Sequence, residues 1–205
     1  MSSQYGEHQH ILDHFAGRDP AKLRFLDVGA FDGVTNSNTK PLADLGWVGV
    51  CVEPSPPAFC RLMKTHAENP RVTLVCAAVG PTSTTWFYCN SATGEHCDQV
   101  STFSDEHMRK WAGFPFRSIV VSPMSWKRLL ASVDYDLIMF DFVDMFDFVN
   151  IDVEGTNLEV FESMPLRPEM VCVEADPRDE IESAIRDRYR HALLVGGNWL
   201  GWEPR

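Results

Sequence analysis

The 205-residue sequence contains no CxxC pair and no apolar run long enough to cross a bilayer. Its first residues lack the basic start and apolar core of a secretory signal, so we expect a cytoplasmic protein without a membrane anchor. Basic residues are scarce, with 18 Lys and Arg against 29 Asp and Glu and a formal net charge of −11. This balance argues against nucleic-acid partners, which require clustered Lys and Arg, and favours a neutral or cationic small partner.

The six cysteines are scattered along the chain, which fits a reducing compartment. Cys51, Cys76 and Cys172 lie inside apolar runs and are expected to be small buried hydrophobic residues. His96 and Cys97 are adjacent, but they lack the usual zinc-ligand spacing and a fourth ligand. We therefore predict no zinc site there.

Apolar runs of strand length alternate with helix-like segments along the chain. Main strands are predicted at 25–29, 48–52, 72–79, 147–153 and 170–174, with a short extra strand at 85–89. Helices are predicted at 38–45, 57–66 and 125–132. This alternation predicts one α/β domain over residues 1–205, with a mostly parallel sheet covered by helices on both faces. A hairpin over 193–202 would make the end of the sheet antiparallel.

A glycine loop follows the first predicted strand and precedes a helix. Gly29 would let the backbone approach a ligand, and Gly33 would permit a tight turn. Glu53 ends the second strand, where an acidic residue can accept hydrogen bonds from a ribose diol. The pattern therefore predicts a nucleotide-like cofactor at the carboxyl ends of the strands.

The residues of the loop help to distinguish between cofactors. A dinucleotide site uses GxGxxG so that backbone N–H groups can cradle a pyrophosphate. Phe31 occupies the middle glycine position, and Asp32 adds a carboxylate that would repel phosphate. S-adenosylmethionine (SAM) carries an ammonium and a sulfonium instead, so Asp27 and Asp32 would suit it. Asp32 is also a common turn residue, so a purely structural role stays open.

A second group of acidic residues follows the fourth predicted strand. Asp152 and Glu154 lie two residues apart, so an extended strand would point both to one side. Thr156 and Glu159 have the spacing of a capping box, which predicts a helix start. We expect Asp152 to be a general base or metal ligand and Glu154 its partner. Glu154 could instead only stabilise the helix N-terminus.

Three stretches of the sequence are similar to a known family. DVGAFDGVTNSNTKPLADLGWVGVCVEPSPPAF (27–59) and DFVNIDVEGTNLEVFESM (147–164) resemble the core of FkbM-type methyltransferases, and SQYGEHQHIL (3–12) is similar to a segment that precedes it in some members. The resemblance implies a class I methyltransferase (Rossmann-like) fold and SAM as methyl donor. It also implies O-methylation, typically of a sugar or related hydroxyl.

The predicted site residues form three sets. The predicted cofactor-binding residues are Asp27, Gly29, Ala30, Phe31, Asp32, Gly33, Ser37, Asn38, Thr39, Glu53, Pro54, Ala77 and Asp152. The catalytic candidates are Asp152, Glu154 and His107, the last as an alternative base. Asp152, Glu154 and Asp176 could hold a Mg²⁺ ion.

Two rival functions remain open at this point: a SAM-binding interaction module without chemistry, and an NAD-dependent oxidoreductase. Two segments, 91–115 and the acidic run 141–147, resist assignment and are expected to shape an acceptor pocket. Trp86, Trp111 and Trp126 could stack on a sugar ring, although most tryptophans fill cores. The sequence does not predict an oligomeric state.

Overall fold

The computed structural model describes residues 3–80, 85–89, 100–120, 122–133 and 145–205, with only the backbone described for 85–89, 119 and 120. The strands are β1 (Arg24–Val28), β2 (Val48–Val52), β3 (Val72–Val75), β4 (Thr85–Cys89), β5 (Phe116–Val120), β6 (Phe148–Ile151), β7 (Met170–Glu174), β8 (Tyr189–Val195) and β9 (Asn198–Pro204). The helices are α1 (Glu7–His14), α2 (Lys40–Asp44), α3 (Pro56–Thr65), α4 (Asp105–Lys110), α5 (Trp126–Val133), α6 (Asn157–Ser163) and α7 (Arg178–Arg188), with a 3₁₀ turn at Pro20–Lys22.

The main sheet has seven strands in the order β3-β2-β1-β6-β7-β9-β8. The first five strands in this order, β3, β2, β1, β6 and β7, are parallel. Strand β9 runs antiparallel to both β7 and β8. This arrangement confirms the class I methyltransferase fold and its antiparallel C-terminal hairpin. The chain changes direction across the sheet between β1 and β6, and such a switch point opens a crevice at the carboxyl ends of the strands.

Two apolar cores cover the two faces of the sheet. Alternate residues of a strand point to opposite faces, so Phe25 packs in one core and Leu26 in the other. The Phe25 core is closed by α1, α2 and α3, and the Leu26 core by α5, α6 and α7. Burial of strands on both faces explains why they read as continuous apolar runs.

Several boundaries differ from the sequence prediction. The third main strand ends at Val75, and Val79 makes an isolated parallel bridge with Met124. The helix predicted to start at residue 38 begins at Lys40, because residues 37–39 form the turn that enters it. Cys51 and Cys172 are buried as expected, but Cys76 is exposed because it follows the end of β3.

The capping box predicted after β6 gives the correct start of helix α6, but the predicted capping hydrogen bond does not form. Helix α6 starts after Thr156, but the Thr156 side chain makes no capping hydrogen bond. Its Oγ1 donates instead to the carbonyl oxygen of Val153 at 3.3 Å. The side chain therefore closes the turn between strand and helix.

The unassigned segment 91–115 contains a helix, α4, in its described part. Residues 90–99, with His96 and Cys97, and residues 134–144, with Asp141 and Asp144, lie outside the described residues. Asp147 lies just before β6, where it accepts hydrogen bonds from Arg18 and the Arg24 N–H. Among the helices described, none is long and apolar enough to cross a membrane.

Candidate functional site

A cavity of about 380 Å³ opens at the carboxyl ends of the strands, at the switch point between β1 and β6. It is within the size range of small-molecule and cofactor sites. Its walls come from the loops after β1, β2, β3, β6 and β7 and from α4. The cavity therefore joins the glycine loop and the acidic segment that the sequence singles out.

Four backbone N–H groups of the glycine loop, residues 27–39, donate hydrogen bonds to other atoms of the protein. The N–H groups of Gly29 and Ala30 both donate to the Val52 carbonyl, at 2.9 and 3.0 Å. The Phe31 N–H donates to Glu53 Oε2 at 2.9 Å, and the Gly33 N–H donates to the Ala30 carbonyl. A pyrophosphate cradle needs such donors to be free, so this geometry disfavours a dinucleotide.

The two glycines of the loop are explained by packing. A Cβ on Gly29 would lie 1.7 Å from the Asp152 carbonyl oxygen, and the residue has φ +91°. A Cβ on Gly33 would meet the Leu62 side chain of α3 at 2.6 Å. Gly29 thus allows the loops after β1 and β6 to touch, and Gly33 allows the glycine loop to pack on α3.

A buried polar chain runs beneath the glycine loop. Asp27 accepts hydrogen bonds from Thr39 Oγ1 at 2.6 Å and from Asn150 Nδ2 at 2.9 Å. Asn38 Nδ2 donates to Asn150 Oδ1, while Asn38 Oδ1 is buried and has no hydrogen-bond partner among the described residues. Burial raises the pKa of Asp27, although the two hydrogen bonds oppose the shift. Asn38 lines the cavity, so its oxygen could accept a hydrogen bond from a bound ligand.

Glu53 is the acidic residue predicted to hold a ribose. It is buried, and its carboxylate spans two backbone donors, the N–H of Phe31 and the N–H of Ser55 at 2.6 Å. Glu53 lines the cavity with its orientation already fixed.

Asp32 has the local role of a turn residue. Its carboxylate accepts from the N–H groups of Val34 and Thr35 and from Thr35 Oγ1, all within 2.9 Å. Burial acts to raise the pKa of Asp32, but these hydrogen bonds and the Arg61 charge outweigh it and lower that pKa. The carboxylate closes a turn instead of facing the cavity.

Three carboxylates meet on the other side of the cavity: Asp152, Glu154 and Glu174, which we call the acidic cluster. One oxygen from each lies within 4.8 Å of the others. Asp176, proposed from the sequence, instead accepts a hydrogen bond from Lys110 Nζ at 2.8 Å. The third carboxylate comes from the last residue of β7, because β7 lies beside β6 in the sheet.

The environment of the acidic cluster disfavours full ionisation. Burial, followed by the charges of Glu174, Glu154 and Asp27, raises the pKa of Asp152 well above its usual range. Burial and the Glu154 charge raise the pKa of Glu174 to about 7, although Asn157 donates a hydrogen bond to it. The Asp152 side chain is exposed to the cavity, so a ligand can reach this carboxylate.

The extended-strand geometry assumed for Asp152 and Glu154 does not occur, because β6 ends at Ile151 and Glu154 has φ +49°. The turn nevertheless returns Glu154 to the cluster. Glu154 Oε2 lies 3.0 Å from Nε2 of His107, which is buried. His107 therefore joins the acidic residues, although the sequence places it far from them.

The structure brings most of the predicted site residues to this one cavity. Those that line it are Asp27, Gly29, Ala30, Phe31, Ser37, Asn38, Glu53, Pro54, Ala77, His107, Asp152, Glu154 and Asp176. Asp32, Gly33 and Thr39 do not line the cavity. They belong to the glycine loop and stabilise its conformation through contacts with Thr35, α3 and Asp27.

Glu174 and Asn150 are two of the polar site residues that sequence reasoning missed. Glu174 ends a predicted strand, so the rule that selects Glu53 would also have found it. Asn150 interrupts the apolar strand β6 and pairs in register with Asp27 of β1. A polar residue within an otherwise apolar buried strand was the available signal for Asn150.

Comparison with known proteins gives one family match. A sequence model of the methyltransferase FkbM domain matches residues 27–188, from the end of β1 to the end of α7. No curated protein sequence matches the chain significantly.

Solved structures give weaker likenesses. The FkbM methyltransferase of Methylobacillus flagellatus KT is 13% identical, with a TM-score of 0.46 over 93% of this chain and 49% of that chain, so the present chain spans about half its length. The precorrin-6y C5,15-methyltransferase of Geobacter metallireducens GS-15 is 12% identical, with a TM-score of 0.47 over 96% and 87%. The ribosomal protein L11 methylase of Lactobacillus delbrueckii subsp. bulgaricus is 14% identical, with a TM-score of 0.45 over 97% and 77%. Identities and TM-scores this low are no guide to the substrate.

Proposed function

The chain belongs to the FkbM methyltransferase family, and we propose that it transfers a methyl group from SAM to a hydroxyl of a sugar or glycan. One observation carries this proposal: the acidic cluster and the glycine loop line the same cavity. Chemistry on a poorly acidic hydroxyl needs a proton acceptor next to the methyl donor.

The donor side of the cavity fits SAM. Asn38 Oδ1 is a buried acceptor without a described partner, which suits an ammonium group, and Glu53 offers carboxylate oxygens to a ribose. The internal bonding of the loop N–H groups argues against a pyrophosphate and hence against the oxidoreductase alternative. SAM supplies an electrophilic methyl group on a sulfonium when it is bound.

The acceptor side supports general-base catalysis. Asp152 faces the cavity, and its raised pKa makes it a stronger base than an ordinary carboxylate. In its ionised form it can accept the proton that the acceptor hydroxyl loses as the new C–O bond forms. Burial, followed by the charges of Glu174 and Glu154, raises the pKa of Asp152 and so its basicity.

Trp111 supports a saccharide as acceptor. It lines the cavity and is 36% exposed, so that its ring is available to the face of a sugar. Trp126, another candidate, is a core residue whose indole N–H donates to the Val160 carbonyl. Trp86 has no described side chain.

The net charge of −11 supports an acceptor other than nucleic acid. We also propose that residues 1–205 form one catalytic domain and that the protein acts in the cytoplasm.

The test is an acceptor screen with mono- and oligosaccharides that measures S-adenosylhomocysteine release. With an active acceptor, Asp152→Asn should lower kcat by about 10²- to 10⁴-fold and leave SAM affinity, measured by calorimetry, within a few fold. Trp111→Ala should raise the acceptor KM by about five- to tenfold, and Trp111→Phe should raise it less because a ring remains.

Two results would contradict the proposal. Full turnover by Asp152→Asn would remove the base assignment. SAM binding without product on any hydroxyl acceptor would favour the alternative, an interaction module that has lost its chemistry.

A further inference from the structure

The short segment 3–6, which we call the strap, precedes α1 and contributes to the cavity wall. Gln4 lines the cavity together with Asn198, the first residue of β9. Glu7, the first residue of α1, accepts a hydrogen bond from Asn198 Nδ2 at 2.7 Å and another from the Tyr5 N–H at 3.0 Å. The strap is therefore attached to the sheet beside the cavity.

Two packing features give the strap a defined position. Glu7 is fully buried, and a buried carboxylate is costly unless it is hydrogen-bonded, so its two bonds hold the strap firmly. A Cβ on Gly196 would lie 2.1 Å from the Cγ atom of Tyr5, because the Tyr5 ring packs directly on the turn between β8 and β9. In the same turn, the Gly197 carbonyl accepts a hydrogen bond from the Ala175 N–H at 2.8 Å. The turn thereby connects the strap to the loop after β7.

The strap and Glu53 lie at opposite ends of the cavity. Glu53 follows β2, whereas Asn198 pairs in register with Glu174 at the end of β7, and β1 and β6 lie between β2 and β7. Asn38, the acceptor suited to the SAM ammonium, is on the strap side, since its Nδ2 lies 3.5 Å from Sγ of Cys172 in β7. A SAM molecule with its ribose at Glu53 therefore extends its amino-acid end towards the strap.

The amino-acid end of SAM also carries a carboxylate, which requires hydrogen-bond donors. The ammonium of Lys110 lines the cavity but already donates to a protein carboxylate at 2.8 Å. The amides of Asn38 and Asn198 already donate to other side chains. The Gln4 side chain is exposed and makes no hydrogen bond with another described residue. Its amide is a neutral donor that a ligand carboxylate can use.

We propose that the strap completes the donor site and that the Gln4 side-chain amide donates a hydrogen bond to the carboxylate of bound SAM. The proposal rests on SAM as the methyl donor. The observation that carries it is the position of an unbonded amide in the cavity wall, on a segment that a fully buried carboxylate holds in place. Gln4 is then a cofactor-binding residue, and Glu7 is a positioning residue that acts through the strap.

The experiment compares ligands with and without the carboxylate, and it needs no methyl acceptor. Calorimetry measures the Kd of SAM, of decarboxylated SAM and of methylthioadenosine, which lacks the whole amino-acid part. Gln4→Ala should raise the SAM Kd about tenfold, because a hydrogen bond to a charged group is lost. The same variant should change the Kd of the other two ligands by less than about twofold.

Gln4→Glu separates a hydrogen bond from simple filling of space. The side chain keeps its size but places a second carboxylate beside that of SAM, so the SAM Kd should rise further than in Gln4→Ala. Decarboxylated SAM should bind this variant at least as tightly as it binds wild type, because it is a cation without a carboxylate.

Glu7→Gln tests the attachment of the strap. Glutamine keeps one acceptor oxygen, but its amide nitrogen must face either the Tyr5 N–H or the Asn198 amide. We expect a several-fold rise in the SAM Kd and faster hydrogen exchange of the backbone amides in the strap of the SAM-free protein. Gln4→Ala should leave that exchange unchanged, because Gln4 does not hold the strap.

Gln9→Ala is the matched control. Gln9 is an exposed glutamine of α1 whose Nε2 donates to Asp13 at 2.8 Å, and it does not line the cavity. Its replacement should change the SAM Kd by less than about twofold. Melting temperatures of all variants identify any that fail to fold, and the exposed position of Gln4 makes folding of its variants the expected result.

The strap assignment is overturned if both Gln4 variants bind SAM as wild type does, or if Gln4→Ala weakens methylthioadenosine binding as much as SAM binding. A wild-type protein that binds no SAM would contradict the proposed function together with this inference. Normal SAM binding that ignores Gln4 would contradict the inference alone.

Discussion

The glycine loop and the acidic cluster face each other across one cavity, and both are rich in carboxylates. In and beside the glycine loop, Asp27, Asp32 and Glu53 each accept hydrogen bonds from nearby N–H or O–H groups. In the acidic cluster the carboxylates lie mainly beside one another, and the pKa values of Asp152 and Glu174 are raised. Acidic residues that the protein satisfies itself shape a binding site, whereas those left in mutual contact are available for protons, cations and substrates.

The strongest test of this comparison is at the point where the two regions touch. Gly29→Ala would place a Cβ 1.7 Å from the Asp152 carbonyl and force a side chain into φ +91°. We expect a loss of about 3 kcal/mol or more in the free energy of unfolding, together with loss of SAM binding. Urea denaturation and calorimetry measure the two effects.

Gly46→Ala is the control for backbone strain alone. Gly46 has φ +96°, and nothing lies within 4 Å of a Cβ built there. Its expected cost is about 1 kcal/mol. If Gly29→Ala lowered the free energy of unfolding no more than Gly46→Ala, the close contact between the glycine loop and the Asp152 carbonyl would be contradicted.

The next effect concerns the buried polar chain under the glycine loop. Asp27→Asn would replace one acceptor oxygen by an amide group that faces the Thr39 hydroxyl or the Asn150 amide. The mismatch should lower the free energy of unfolding by about 2 kcal/mol and raise the SAM Kd several fold.

Thr39→Val is the matched control, because it leaves the bond between Asp27 and Asn150 in place. Its cost should be about 1 kcal/mol. Equal effects of the two variants would mean that the Asn150 bond contributes nothing.

A pH experiment addresses the acidic cluster. Burial and the Glu154 charge raise the pKa of Glu174 to about 7 from an ordinary value near 4.5. The folded state thus holds a proton that the unfolded state releases, so that stability falls as the pH rises through this interval. With a chelator present, the free energy of unfolding should be lower at pH 8 than at pH 5.

Glu174→Gln should flatten this pH dependence, because glutamine does not titrate. Urea denaturation at a series of pH values measures it for both proteins. An unchanged slope in the variant would show that other groups cause the effect.

The smallest expected effect belongs to Asp32. Its carboxylate only closes the turn to Val34 and Thr35, so Asp32→Asn should cost no more than about 1 kcal/mol. The SAM Kd should stay within twofold. A tenfold rise in that Kd would instead support the sequence prediction that Asp32 contacts the cofactor directly.

Parts of the site could be predicted because they follow from position along a strand. Asp27, Glu53 and Asp152 all lie at or just after carboxyl ends of buried strands, and parallel strands bring these ends to one edge of the sheet. Asp176 was predicted for the site and Glu174 was not, although the predicted strand 170–174 ends at Glu174. The pairing of Asp176 with Lys110 of α4 depends on a contact between distant segments.

The sequence by itself determined the alternation of strands and helices, the antiparallel end of the sheet and the loop that argues against a dinucleotide. These are local properties, since hydrophobic periodicity and glycine spacing act within a few residues. Only the tertiary structure decided that Glu174 and His107 join Asp152 and Glu154, and that Asp32 turns away from the cavity. Those outcomes depend on strand register and on the packing of α4 against Gly155, which bring together residues far apart in the chain.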